Sequence, residues 1–265
     1  MYAFEYQRPT SRDAAKSAAT GADTRYLAGG QSLIQAMRLR LSQSERLVDL
    51  GAVVDLKGIK ADGTGITIGA MTTHAAVASN ADVKRMLPAL AALAEGIGDP
   101  MVRNMGTIGG SIANADPAAC YPAAVLALGA TIHTDRRTIE GDDFFTGLYE
   151  TALQPGELIT AVSFPPAQKA AYIKYKQQAS RFALVGVFVA QTPAGVRVAV
   201  TGAKGHVFRA TPIEDALAKS FTPEAAKAVR MPTTGVNADL HGSAEYRAAM
   251  ISVMASRAVA AALAR

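Results

Sequence analysis

The sequence predicts an α+β protein in two unequal parts, and three observations carry that prediction. Short β-like runs alternate with alanine-rich helical patterns through about residue 165. A proline-rich joint, SFPPAQKAA at 163–171, interrupts them. Beyond it three strand-like runs follow one another and helices follow those, the order expected of an α+β unit.

Taken in order, RYLAG runs into two glycines and then into SLIQAMRLRL, where Leu33, Met37 and Leu41 recur every four residues behind Ser32 as an N-cap. That reads as strand, glycine turn, helix. GITIGAMTT reads as a strand, PALAALAEGIG as a helix opened by Pro88, and PAAVLALGATIHT as a helix running into a strand. His74 follows MTT at a helix start, where a capping or surface role is expected, and Asp142 and Asp143 before FF are expected in a turn or at a helix cap. After the joint come AYIKYKQ, ALVGVFVAQ and VRVAVTGA, separated by short turns such as TPAG. Thr211-Pro212 and Thr222-Pro223 are cap-then-proline helix starts, and a long terminal helix is expected behind Ser243. The expected domains are 1–167 and 168–265. No internal repeat or low-complexity segment is visible.

With 265 residues and 49% hydrophobic content the chain can bury cores for two domains. The net charge of +5 is scattered; the densest spots, RLR at 38–40 and DRR at 135–137, have apolar or acidic neighbours, so no nucleic-acid surface is expected. No apolar run reaches the ~18 residues of a membrane span, and the start MYAFEYQRPTSRDAAK lacks the basic-then-apolar order of a secretory signal, so a cytoplasmic location is expected. The one cysteine, Cys120, cannot alone hold an iron–sulfur cluster, which takes four Cys or His ligands. Its setting, AACYPAAVLAL, points to structural burial, with a redox thiol as the alternative. The four histidines stand apart without Cys or carboxylate at metal-ligand spacing, and no metal site is expected.

Two glycine pairs, Gly29-Gly30 and Gly109-Gly110, pose the functional question. A backbone that brings several N–H groups to one anion needs residues without Cβ, and each pair fits such a cradle; each also fits a plain tight turn. If both loops faced one cleft they would hold the two phosphates of a dinucleotide, with the hydroxyls of Ser32, Thr107 and Ser111 as further donors. Neither pair is a G-x-G-x-x-G fingerprint, and neither is followed by the Gly-Lys-Ser/Thr of a P-loop.

The segments AGGQSLIQAMRLRL, LVDL, VRNMGTIGGSIANADPAA, DFFTGLYETALQPGELITAV and ASRFALVGVFVA, in that order over nearly the whole chain, resemble the flavin-binding subunit of the molybdenum hydroxylases. That family includes the medium subunit of carbon monoxide dehydrogenase and the FAD domain of xanthine dehydrogenase. The resemblance implies a two-part α/β FAD-binding domain of the vanillyl-alcohol-oxidase type, split near 1–55 and 56–167, and a small C-terminal α+β domain with an antiparallel sheet and helices. By the same resemblance Ala28, Gly29, Gly30, Gln31, Ser32 and Leu33, with Thr107, Ile108, Gly109, Gly110 and Ser111, would wrap the FAD pyrophosphate through backbone amides. Asn114 and Asp116 would reach the ribityl or flavin end. Phe182 matches a position near the isoalloxazine, or is an inward strand residue; Lys174 lies in a segment that approaches the cofactor, or is an exposed strand lysine. Cys120 stands where relatives often carry an acidic residue. Gln31 stands where some have histidine, so FAD is expected to be bound non-covalently.

The resemblance further implies an electron-transfer subunit without catalytic residues of its own. It would take electrons from a small subunit with two 2Fe–2S clusters docked on a large molybdopterin subunit, in a dimer of heterotrimers, and pass them to NAD, a quinone or oxygen. Two other classes stand beside it: a stand-alone FAD-dependent oxidase or dehydrogenase of the same fold, which needs its own acid–base groups, and a cofactor-free interaction protein.

Overall fold

The computed structural model describes residues 1–21 and 23–264. Its chain opens with β1 (Glu5–Gln7), α1 (Arg12–Ala18), β2 (Thr24–Leu27), α2 (Leu33–Arg38) and β3 (Arg46–Asp49). The three strands form a parallel sheet in the order β1-β3-β2. Parallel neighbours cannot be joined by a tight hairpin, so each connection carries a helix. Ser11 caps α1 by accepting from the Ala14 amide. The helix expected over SLIQAMRLRL stops early: Arg40 takes a left-handed turn, φ 59°, to enter β3, and Leu39 and Leu41 are left exposed.

Two short 3₁₀ turns lead to β4 (Ile59–Asp62) and β5 (Gly65–Gly69), then to α3 (His74–Ser79), α4 (Ala81–Met86), α5 (Pro88–Glu95), α6 (Pro100–Met105), α7 (Ile108–Asn114) and α8 (Tyr121–Leu128). After these come β6 (Thr131–Thr134), β7 (Thr138–Glu140), α9 (Gly141–Phe144), β8 (Phe145–Gly147), β9 (Glu150–Thr151) and β10 (Ile159–Phe164). Five of these strands make an antiparallel sheet in the order β4-β5-β10-β6-β7, while β8 and β9 pair separately. The side chains of Thr73, Asn80, Asp99 and Thr107 cap α3, α4, α6 and α7 in turn. Each residue of α8 is buried, as a helix that is apolar all round must be, and Gly129 ends it at φ 63°.

From Lys169 the chain builds a second antiparallel sheet: β11 (Lys169–Lys176), β12 (Ala183–Thr192), β13 (Gly195–Thr201) and β14 (Phe208–Arg209) in sequence order. It is followed by α10 (Thr211–Lys219), α11 (Pro223–Ala228) and α12 (Ala244–Leu263). The unbroken apolar run of β12 has a physical reason. Val185, Val187 and Val189 face the core beneath α12, while Phe188 and Ala190, on the other face, join the core built around α8. A strand covered on both sides has no polar face to show. Asp142, in the first turn of α9, pairs with Arg197 and Arg209 of this sheet.

Ser243 and Thr222 cap their helices, accepting from the amides of Tyr246 and Ala225. Thr211 does not cap: it is already the first helical residue, Ala210 holds the cap position, and no side-chain bond closes that end. His74 is also misplaced by the sequence reading. Thr73 is the cap, and His74 is buried behind it. Among the described residues no helix is long and apolar enough to cross a membrane.

Phe188 is fully buried and stacks on Tyr172 with ring centroids 6.1 Å apart, joining the second sheet to the α8 core. Phe188→Ala is expected to destabilise the fold by about 3–5 kcal/mol, read as a lowered urea midpoint with the m-value unchanged.

Candidate functional site

The two glycine segments meet. Gly29 lies so close to the α6–α7 junction that a Cβ there would sit 2.0 Å from the Met105 carbonyl oxygen and 2.7 Å from the Gly106 Cα. Gly109 presses equally on β5's exit, where a Cβ would stand 2.6 Å from Ala70 Cβ and 2.8 Å from its carbonyl oxygen. Gly30 turns left-handed, φ 71°, and a Cβ on Gly110 would come within 3.2 Å of Ala28 Cβ. Between the loops opens a cleft with a cavity volume of about 400 Å³. The segment 153–159, Lys174 on β11 and the β11–β12 hairpin residues 180–182 complete its walls.

All the residues that the resemblance puts at the cofactor line this cleft except Ile108. Ile108 turns the other way, fully buried in the core beneath α7. The two loops also differ in their backbone. The amides of Ile108, Gly109, Gly110 and Ser111 are already engaged, donating to Thr72 O, Ala70 O, Thr107 Oγ1 and Thr107 O. These four N–H groups start α7 and pin it to the β5–α3 turn, while the Thr107 amide meets no acceptor among the described residues. In the first loop the amides of Gly29, Gly30, Gln31 and Ser32 meet no acceptor among the described residues. Ser32 holds the cap position of α2, yet its hydroxyl makes no capping bond.

Asn114 ends α7 and Asp116 follows it on the cleft wall, with Ala115 between them turning left-handed at φ 47°. Burial pushes the Asp116 carboxyl up, opposed by hydrogen bonds from the Ala118 amide at 2.8 Å and from Tyr149. Lys174 is not the exposed strand lysine of the alternative reading: it is half-buried, with Nζ 3.4 Å from Cys120 Sγ. Cys120 is buried as expected, but it also lines the cleft. Phe182 stands at the rim just ahead of β12, 46% exposed, and is not an inward strand residue.

Sequence reasoning missed His74, Tyr26, Glu157 and Arg181 on the same walls. Glu157 is held by its own scaffold, accepting from Arg137 Nε at 3.0 Å, Thr134 Oγ1 at 2.8 Å and the Gln154 amide at 2.8 Å. Those bonds, the Arg137 one foremost, hold its carboxyl down at about 2. Burial pushes the Tyr26 hydroxyl up to about 12, and it donates to Gly156 O at 3.2 Å. His74 Nδ1 and the Tyr121 hydroxyl are buried without a hydrogen-bond partner, their rings 5.3 Å apart. Such roles come from contacts distant in sequence, and only the MTTH run hinted at one of them.

Residues 2–167 match the family described as the FAD binding domain in molybdopterin dehydrogenase. The chain is 36% identical to the nicotine 6-hydroxylase medium subunit of Paenarthrobacter nicotinovorans, covering 99% of this chain and 98% of that one. It is also 36% identical to the carbon monoxide dehydrogenase medium chain of Hydrogenophaga pseudoflava, with the same coverage. A chain of reconstituted CO dehydrogenase from Oligotropha carboxidovorans superposes with a TM-score of 0.92 at 34% identity, covering 100% of this chain and 99% of that one.

Burial, with the Arg103 guanidinium second, pushes the His74 imidazole down from 6.5 to about 4. Between those values the unfolded chain binds a proton that the folded chain refuses, so stability falls as pH drops through the window. Wild type is expected to lose roughly 2–3 kcal/mol from this group between pH 7 and pH 4. His74→Gln, compared by urea denaturation at both pH values, is expected to lose less over the same interval.

Proposed function

Because this chain belongs to the FAD-binding medium-subunit family of the molybdopterin dehydrogenases, we propose that it holds one FAD non-covalently between its glycine loops, as the electron-transfer flavin subunit of a heteromeric molybdenum hydroxylase. The observation that carries the reading is the run of unengaged amides at Gly29, Gly30, Gln31 and Ser32, facing a cleft that bare glycine backbone keeps open. N–H groups that face a cleft without protein acceptors are open to donate to an anion that displaces water from them. A diphosphate supplies acceptors in the required number.

The two loops divide the work. The first donates, through its amides and the free Ser32 hydroxyl. The second mainly shapes: its amides from Ile108 to Ser111 are committed to Thr72, Ala70 and Thr107, so it offers the Thr107 amide, the Ser111 hydroxyl, the Asn114 side chain and a surface at Gly110 with no Cβ in the way. Gln31 donates from Nε2 to Gly29 O at 3.1 Å, which braces the loop, and an amide side chain offers no nucleophile for a covalent flavin link. At the far end Lys174 and Cys120 form the floor and Phe182 the rim, where the isoalloxazine would lie. Asp116, which accepts from the Ala118 amide, would face the ribityl stretch.

When bound, FAD supplies the exchange between one-electron donors and a two-electron acceptor. A single cysteine cannot provide four cluster ligands, so the clusters that feed it belong to other chains: a small subunit with two 2Fe–2S clusters and a large molybdopterin subunit, in a cytoplasmic dimer of heterotrimers. Substrate choice then resides in the large subunit. Turnover of a substrate by this chain alone would overturn the assignment in favour of a stand-alone oxidase.

The purified chain is expected to be yellow, with about one FAD per chain. Ser32→Asp and Gly110→Asp each place a carboxylate beside the diphosphate and are expected to weaken FAD retention by about a hundredfold or more. The measurement is visible flavin absorbance after gel filtration, with circular dichroism to show that the variants are folded. Flavin retained at the wild-type level by Ser32→Asp would remove the first loop from the site.

A further inference from the structure

Lys174 sits on the cleft floor without a counter-ion. In the register of β11 against β12 it lies opposite Gly186, so the neighbouring strand has no side chain to set against it. That glycine is required: a Cβ there would run into the Tyr172 hydroxyl and come 2.7 Å from Thr201 Oγ1. The side-chain hydrogen bond that Lys174 Nζ makes goes to Cys120 Sγ at 3.4 Å, and a thiol accepts weakly and brings no charge. Among the described residues no carboxylate lies within ion-pair distance of Lys174.

The rest of the cleft does not supply the missing charge. Glu157 accepts from Arg137 Nε at 3.0 Å and Nη2 at 3.1 Å, so its charge is already matched. Asp116 accepts from the Ala118 amide at 2.8 Å and from Tyr149, and burial pushes its carboxyl up. The start of α8 adds to the positive side. Cys120 holds its cap position without a capping bond, Pro122 has no N–H, and the Cys120 and Tyr121 amides meet no acceptor among the described residues. The positive end of that helix therefore falls beside Lys174, whose half-buried ammonium is screened less than an exposed one.

We propose that Lys174 sets the flavin's reduction potential, and that Cys120, by leaving its ammonium unpaired, holds that potential higher than a carboxylate at position 120 would. This rests on the flavin assignment above, which puts the ring over this floor. An oxidised flavin ring that takes up two electrons and one proton gains one negative charge, the electrons coming from the partner clusters of that assignment. A cation held beside the ring favours the charged, reduced form by direct attraction. A carboxylate on Lys174 would cancel that attraction; a thiol does not. The consequence is directional: electrons are drawn onto this chain from a low-potential donor, and the flavin gives them up with less driving force.

The test is potentiometric titration of the full-length FAD-loaded chain, with the FAD content of each variant measured from its absorbance. Lys174→Met, Lys174→Gln and Cys120→Asp are each expected to lower the flavin's reduction equilibrium constant about tenfold, which is about 30 mV for a two-electron couple. Cys120→Ser, which exchanges one uncharged hydrogen-bonding group for another, is expected to keep the wild-type potential. So is Lys169→Met, on the opposite face of the same strand. A potential unmoved by either Lys174 variant or by folded, FAD-loaded Cys120→Asp overturns the proposal. So does a potential raised by Cys120→Ser, the result expected if the sulfur carried a negative charge. Should Cys120→Asp fail to fold or to load, the Lys174 variants and Cys120→Ser still decide. A wild-type chain that takes up no FAD overturns the flavin assignment and this proposal with it, whereas FAD bound at an unmoved potential overturns only the proposal.

Discussion

Backbone against backbone, with no side chain between, is the contact on which the rest of this structure depends. Gly29 touches the Met105–Gly106 peptide and Gly109 touches Ala70, and those two approaches lock a loop of the parallel sheet and a loop of the antiparallel sheet into one wall. A methyl group at either position would sit inside another atom's radius, so the loops would have to part. Parting them would move Gly106 off the His74 imidazole, whose Nε2 already lies 2.6 Å from where a Gly106 Cβ would be. The cleft is thus a consequence of packing that only glycine allows. Its chemistry follows from which amides that packing leaves over.

How much of this was legible in the sequence depends on whether the cause was local. The unbroken apolar texture of ALVGVFVAQ marked a strand, and the caps at Ser243 and Thr222 were readable because a cap is a matter of three residues. The glycine pairs were legible as unusual, and their meeting across a cleft came from resemblance, since periodicity carries no distance between loops. Ile108 sat in a site motif yet faces the core, because helical geometry after Thr107 turns that position under α7. Thr211 failed as a cap since the chain leaves β14 already turning, which moves the helix start back by one residue. His74 and Arg181 were out of reach: burial of the first needs Tyr121, and placement of the second needs Gly98, 83 residues away.

The electrostatics divide along the same line. Glu157 is tied to Arg137, Thr134 and the Gln154 amide, so its charge is spent inside the scaffold although it lines the cleft. Burial pushes the Asp116 carboxyl up from its ordinary range, against hydrogen bonds from the Ala118 amide and Tyr149. Lys174 finds a thiol where a carboxylate would have paired it. The cleft therefore presents amides and a lysine to whatever enters, with its carboxylates restrained, and an anionic ligand meets attraction at both ends.

That arrangement explains why one loop is committed and the other is not. A site that binds a diphosphate needs donors aimed before the ligand arrives, because aiming them afterwards would lose the ordering entropy from the binding free energy. Free amides on a free loop would not stay aimed. Here the second loop, with Ile108 and Gly109 bonded to Thr72 and Ala70, forms a rigid backing. The first loop leans on it through Gly29 and is braced within itself by Gln31. Donor and support are separated into two segments, so the amides of Gly29 to Ser32 can remain without protein partners and still be held in place.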